Sequence, residues 1–488
     1  MRGSKFYITA LILGIICAAF VIYFREIVPP AKETAVFAFT EEDEESLLFP
    51  APDKTLYQMD LYFDVNERML YGKSIITTIN TSGQDLNDLW FTVYPNAFVK
   101  KDKTPAPEEA YYNGFDKGWL KVSKMKVNGK RVVFLDKGVN LEVILFEKIN
   151  KGADIKIEIE WQAKIPYLAY RYGSRNGVFI LSNFYPALNV LTEEGWLKAE
   201  NVSFGDPFTF HSASYIVNLN IPEAYDVVSN GSKTARTPED NGRQGYVIKA
   251  QNVRDFSMVL MYHYKEFGIK TENGYIRLYI PDSYKEKAVN ILREAASILN
   301  FFSKAFSPYP YRDFKIVFVP MQGFEGMEYS GLIFLKEDFL KPDLPAERLS
   351  FIMAHEIAHQ WWYSLVGNDQ IREPWLDEGL ANYSASKYQE KVKGKKHSEK
   401  NIKGVNLARG LKDMYSRQDY YQTAYYGGES FWWGLEGILG EDNVFKILRH
   451  YLAQYKYDIA STEDLLYIIK LESEKDLSYY FARWFKKE

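Results

Sequence analysis

Cys17 is the only cysteine in this 488-residue chain. No disulfide can staple it, so its cores must hold by packing, and a chain of this length supplies two or three domains large enough to do so. Net charge is almost absent as well. Sixty basic residues against 64 acidic ones leave −4, which gives no electrostatic footprint for nucleic acid. Internal repeats are missing, so nothing points to a solenoid or propeller. Histidine is scarce, six residues in all, and that scarcity makes one pair of them conspicuous.

The pair lies in His355-Glu356-Ile357-Ala358-His359. Four residues apart on a helix, the two imidazoles stand one above the other on the same face. Leu349, Ile352 and Met353 lead into the motif at helical spacing, and Trp361 and Trp362 follow it, so the helix should be one wall of a core. Glu378 comes nineteen positions after His359. It follows Pro374, a residue suited to the first turn of a second helix, which would bring the carboxylate beside the histidines. Two neutral imidazoles and a carboxylate form a three-ligand set for one Zn²⁺, with a fourth position open. Glu356 is placed to act as a general base. The longer zinc-protease motif would need glycine at position 362 and histidine at 365; Trp362 and Leu365 stand there instead.

Taken together, the two histidines, the intervening Glu356 and the distant Glu378 resemble the M1 family of zinc aminopeptidases. Upstream, Gln322-Gly323-Phe324-Glu325-Gly326-Met327-Glu328-Tyr329 resembles that family's G-x-M-E-N exopeptidase motif, with Glu325 in place of the first glycine and Tyr329 in place of the asparagine. Downstream, Ala424-Tyr425-Tyr426-Gly427-Gly428 is similar to the segment that bears the family's catalytic tyrosine. The resemblance runs from about Leu56 to the C-terminus and is strongest between Pro308 and Gly440. It implies that His355, His359 and Glu378 hold zinc, that Glu356 activates the attacking water, and that Tyr425 donates to the developing oxyanion. Tyr420, Tyr421 and Tyr426 are alternatives for that last role. It also implies that Glu328, with Met327, Gly326 and Glu325 around it, binds the substrate's free amino group. The Glu325 carboxylate either joins in amine binding or is merely solvated.

The N-terminus carries a second signal. Phe6–Phe24 is nineteen residues without a charge, close to the ~20 that span a bilayer as a helix. Arg2 and Lys5 precede it, so the positive-inside rule keeps the N-terminus cytoplasmic and puts the rest outside. A retained single-pass anchor in the cell membrane is therefore expected, with the catalytic part extracytoplasmic. A cleaved signal peptide is the competing reading, and lipidation at Cys17 a more distant one.

The domain plan follows. Residues 1–27 form a cytoplasmic stub and anchor, and 28–53 an acidic linker that contains Pro29-Pro30 and Thr40–Glu45. Residues 54–264 form a β-rich domain: Ile155, Ile157, Ile159 and Trp161 alternate with Lys156, Glu158 and Glu160, and Asn128-Gly129, Asn176-Gly177, Asn230-Gly231 and Asn241-Gly242 read as turns. Residues 265–488 form the catalytic domain, with helices dominating from about Glu266. Ala288–Phe306 reads as an amphipathic helix, Lys315–Val319 as a strand, Lys391–Lys403 as an exposed basic loop, and the stretch after Gly428 as helical. The fold class is α+β, and the resemblance implies a thermolysin-like, mainly helical zinc-peptidase domain after the β-rich one. Many family members continue into a further helical domain, whose absence here would leave the site more open or closed by another subunit. Function is thus expected to be removal of N-terminal residues from peptides. The alternatives are a zinc endopeptidase or another hydrolase with the same site, or an inactive cell-surface binding protein. Oligomeric state is not readable.

Overall fold

The computed structural model describes residues 55–397, 402 and 404–486. The expected membrane segment Phe6–Phe24, the linker 28–53 and part of the expected basic loop lie outside these residues. Among the described residues no helix is long and apolar enough to cross a membrane.

Between Thr55 and Met261 regular structure is dominated by strands. Strand Asp154–Lys164 illustrates why. Ile155, Ile157, Ile159 and Trp161 are buried while the residues between them are not, as a pleated strand with one covered face requires. It lies inside an eight-stranded sheet, flanked by Met69–Ile79 and Trp119–Val127. In the same sheet Thr55–Asp64 runs parallel to Ala213–Pro222. Two four-stranded sheets stack their apolar faces into the same core. Asn128-Gly129, Asn176-Gly177 and Asn241-Gly242 turn with both residues at positive φ, the pattern of a tight hairpin turn. Asn230-Gly231 connects two strands without it.

Helices are expected to dominate from about residue 266, but a β-hairpin comes first, Tyr264–Thr271 paired with Gly274–Pro281. Ile276, Leu278 and Ile280 of its second strand point into a core, and burial at period two makes this stretch a strand. The hairpin opens a five-stranded sheet. Gly274–Pro281, Asp313–Val319 and Leu332–Lys336 are mutually parallel neighbours, and Gly326–Tyr329 adds an antiparallel edge. The catalytic region is therefore a sheet covered by helices and not helical alone.

Helix α1 (Ala288–Ala305) lays Ile291, Leu292, Ala295, Ile298, Leu299 and Phe302 on that sheet. Helix α2 (Ala346–Ala358) carries the first histidine and ends beside the second. Helix α3 (Trp375–Lys391) starts directly after Pro374 and carries Glu378. The short α4 (Arg417–Tyr420) runs into a π-helical turn over Tyr421–Gly427, and α5 (Gly428–Leu439) continues from it. Helices α6 (Glu441–Gln454), α7 (Thr462–Ser473) and α8 (Ser478–Trp484) close the core.

The β-rich region is fastened to this core by Arg254. Its buried guanidinium donates to the carbonyl oxygens of Phe210 (2.9 Å), Tyr363 (2.6 Å), Ser364 (3.5 Å) and Asp458 (3.1 Å). One side chain thereby joins the β-rich region, the loop after His359 and the loop before α7.

Candidate metal centre and substrate pocket

His355, His359 and Glu378 meet where α2 and α3 pack together. The Nε2 atoms of the two histidines are 3.1 Å apart, and Glu378 Oε2 lies 3.1 Å from His355 Nε2 and 3.6 Å from His359 Nε2. All three residues are buried. The outer ring nitrogens are already engaged: His355 Nδ1 with Asn382 Oδ1 at 2.9 Å, and His359 Nδ1 with the Trp362 carbonyl at 2.9 Å. Because each Nδ1–H donates outward, each Nε2 turns a lone pair inward. Two lone pairs and a carboxylate facing one another at these distances repel unless a cation lies between them. The proton balance points the same way. Burial lowers the His355 imidazole. Burial also opposes charge on His359, yet the carboxylates of Glu328, Glu378 and Glu356 raise it well above the ordinary imidazole range. Burial would raise the Glu378 carboxyl, but the two histidines hold it well below the usual range. These shifts put a proton beside the Glu378 carboxylate, in the place a cation would take. The donor set of two nitrogens and one oxygen fits zinc.

Glu356 is on the same helix and reaches into the same pocket. Burial pushes its carboxyl up to about 8, and its buried Oε2 has no hydrogen-bond partner among the described residues. The edge strand Gly326–Tyr329 runs directly against it. A Cβ on Gly326 would lie 2.2 Å from Glu356 Oε1, so only glycine lets the strand come this close. Alternation along the strand then sorts its side chains. Met327 and Tyr329 enter the core on the far side, whereas Glu328 faces α2 and lines the pocket. Met327 therefore meets the pocket through its backbone. The strand is held in register by Gln360, next to His359. Its Nε2 donates to the Tyr329 carbonyl (3.1 Å) and its Oε1 accepts from Gly331 N–H (2.7 Å). Tyr329, where the motif has asparagine, hydrogen-bonds Ser182 of the β-rich region through its hydroxyl (2.5 Å).

Glu325 does not join this group. It precedes the strand, is half exposed, and is gripped by Arg348 through both carboxylate oxygens. It is absent from the residues lining the pocket. Between the two expectations, amine binding or a surface carboxylate, the structure gives the surface, with an arginine partner.

The tyrosine cluster closes the other side. The Tyr425 ring stacks on His355 (centroids 5.5 Å apart, planes at 8°), and its hydroxyl donates to Glu378 Oε1 at 2.5 Å. Tyr420 donates to the same oxygen at 3.0 Å. In an α-helix residues five apart point in different directions. The π-type turn between them, with i to i+5 hydrogen bonds, lets both phenols reach one carboxylate. Burial, and then the Glu378 charge, raises the Tyr425 phenol well above its ordinary value, which keeps it a donor. Tyr421 also lines the pocket and Tyr426 does not.

The β-rich region adds residues that no motif announced. Phe204, Gly205 and Asp206 form a wall of the same pocket. Asp206 is held by the fully buried Arg171 (Nη1 to Oδ1, 2.5 Å), and its charge helps raise the Glu328 and Glu356 carboxyls. Arg417 completes the lining of the cavity. The only sequence signal at 204–207 is a Gly-Asp-Pro turn, which carries no chemistry by itself.

Residues 291–484 match the Peptidase family M1 domain. Among curated proteins the chain is similar to Probable aminopeptidase 1 of Sulfurisphaera tokodaii, 21% identical over 75% of this chain and 48% of that one. It is also similar to Leucyl aminopeptidase of Saccharolobus solfataricus, 22% identical over 75% and 48%, and to Alanine/arginine aminopeptidase of Saccharomyces cerevisiae, 27% identical over 40% and 25%. The chain thus spans half or less of the length of these relatives. Among solved structures, the M1 zinc metallopeptidase from Deinococcus radiodurans superposes with a TM-score of 0.61 at 16% identity, covering 86% of this chain and 90% of that one. At that identity the likeness concerns the fold.

Proposed function

Taking the chain's membership of peptidase family M1 as premise, we propose that it is a zinc-dependent aminopeptidase that removes N-terminal residues from peptides. The observation that carries the proposal is the arrangement of carboxylates around the donor set. Glu328 on its edge strand and Asp206 from the β-rich region face one cavity together with Glu356 and Glu378. Such a wall favours a protonated amino group beside the scissile bond. The names of the curated relatives, aminopeptidases throughout, support the same reading.

His355, His359 and Glu378 would hold the zinc. When bound, it supplies Lewis acidity that polarises the scissile carbonyl and lowers the pKa of water from about 15.7 to about 7. Glu356, a carboxyl raised toward neutrality, takes the proton of the attacking water and returns one to the leaving amine. Tyr425 turns its hydroxyl from Glu378 toward the tetrahedral oxyanion. Glu328 fixes the free amine, so that the first peptide bond and no later one meets the water. We propose further that Phe6–Phe24 anchors this domain in the membrane with its site outside the cytoplasm; the support is the nineteen-residue uncharged run after Arg2 and Lys5.

The test pairs an aminoacyl-anilide with its N-acetylated form. The free-amine substrate should be cleaved and the acetylated one left intact; equal cleavage would remove the aminopeptidase reading and favour an endopeptidase. Glu356→Gln should lower kcat by about 10²–10⁴ while metal analysis still finds one zinc per chain. Hydrolysis that survives this change would overturn the assignment of the base.

A further inference from the structure

The two histidine ligands are anchored differently. His359 Nδ1 faces the Trp362 carbonyl at 2.9 Å. A carbonyl oxygen only accepts, so the ring proton sits on Nδ1 and the Nε2 lone pair faces the metal position. His355 Nδ1 faces a side-chain amide instead, 2.9 Å from Asn382 Oδ1. An amide accepts at one end and donates at the other. Turned over, it would donate to Nδ1 and move the ring proton to Nε2, where that proton blocks the metal. Something beyond Asn382 must decide which end meets the histidine.

Glu429 stands on that far side. It is buried in the first turn of α5, and its Oε2 lies 3.5 Å from Asn382 Nδ2. It comes this near because α3 and α5 cross closely at Gly379 and Gly428. Ser386, one turn further along α3 than Asn382, donates to Glu429 Oε1 at 2.5 Å and holds the carboxylate in place. The 3.5 Å contact is long for a hydrogen bond. Orientation, however, depends on the difference between the two ends of the amide: the NH2 is attracted to the carboxylate and the oxygen repelled. We propose that Glu429 is a positioning residue that selects the His355 tautomer. By keeping Asn382 Nδ2 toward itself, it keeps Oδ1 on the His355 Nδ1–H and the Nε2 lone pair on the metal position. This rests on the zinc-centre reading above. Glu429 and Asn382 belong neither to the ligand set nor to the lining of the substrate pocket.

The experiment is a double-mutant cycle read as Zn²⁺ affinity, by competition with a chelator. Glu429→Gln replaces the carboxylate with a group that offers oxygen or NH2 alike, so Asn382 loses its direction. Zinc binding should weaken about 10–100-fold, as when a ligand's outer partner is removed. Asn382→Asp gives His355 an acceptor at either oxygen, so nothing is left to orient. In that background the same Glu429→Gln change should cost no more than about twofold. A glutamate that only packs α5 against α3 would cost the same in both backgrounds, and equal losses would overturn the proposal. So would a Glu429→Gln protein that binds zinc as tightly as wild type. Should Glu429→Gln fail to fold, ¹⁵N shifts of the histidine rings in zinc-free wild-type protein decide. A His355 ring protonated on Nδ1 supports the proposal, and one protonated on Nε2 overturns it. Wild-type protein that takes up no zinc at all would overturn the metal-centre reading, and this proposal with it.

Discussion

Glu378 Oε1 accepts from two phenols at once, Tyr425 and Tyr420, but their surroundings differ. Tyr420 is buried and stacks on Phe204 (5.7 Å, 30°), so its hydroxyl is confined to the ligand carboxylate. Tyr425 is partly open to the pocket and can rotate its hydroxyl toward a substrate. Tyr425→Phe should therefore lower kcat by about 10²–10³ with KM little changed, as the loss of an oxyanion donor does. Tyr420→Phe should cost less than tenfold in kcat and should instead speed zinc loss to a chelator, because it loosens a ligand's support. Comparable kcat losses in both variants would reject this division. Sequence alone could name the ligands, since histidines four apart carry their geometry with them, and the resemblance of Ala424–Gly428 to the family's tyrosine segment pointed to Tyr425. It could not find Asp206 or Arg417, since neither belongs to a motif and only the folded chain brings them to the pocket. It offered two readings of Glu325 because the partner that decides between them, Arg348, lies on another element.

At the level of elements, the site depends on how closely α3 and α5 cross. A Cβ on Gly379 would come within 2.6 Å of the Gly428 Cα, so the helices touch backbone to backbone just where one has presented Glu378 and the other receives the turn carrying Tyr425. Gly379→Ala must push them apart. It should destabilise the fold by about 1–3 kcal/mol and lower kcat as the phenol and the carboxylate separate. Gly437, on α5 with open space around it, supplies the control: Gly437→Ala should leave kcat alone and hold or raise Tm. A Gly379→Ala protein with wild-type Tm and kcat would show that the close crossing does not matter. Most elements were readable from burial periodicity, as in Asp154–Lys164 and α1. The hairpin Tyr264–Pro281 was readable too, since Asn273-Gly274 marks its turn and Ile276, Leu278 and Ile280 alternate. Its first strand is masked in the sequence by Lys265, Glu266 and Lys270. The π-type turn was not readable, because nothing in Tyr421–Gly427 distinguishes it from a helical repeat.

For the whole molecule, the change from β-rich region to catalytic sheet falls between Met261 and Tyr264, and the pocket takes walls from both sides of it. If the proposed anchor holds, the full chain should stay with the membrane pellet through alkaline carbonate washing, and a chain starting at Lys54 should be released into the supernatant with its peptidase activity. Release of the full chain would reject the anchor. Architecture at this scale was legible in outline because long alternating strands and a metal motif each declare themselves. The joint between the two regions was not, since it rests on Arg254 and four backbone carbonyls. That joint has a consequence for how the protein tolerates change. Carbonyl acceptors belong to every amino acid, so the side chains at 210, 363, 364 and 458 can drift without disturbing the acceptors Arg254 uses, while no other residue type could serve all four. In a saturation-mutagenesis map, position 254 should stand as an intolerant point whose acceptors carry no matching signature. Covariation between paired positions would then pass over the contact that holds the molecule together.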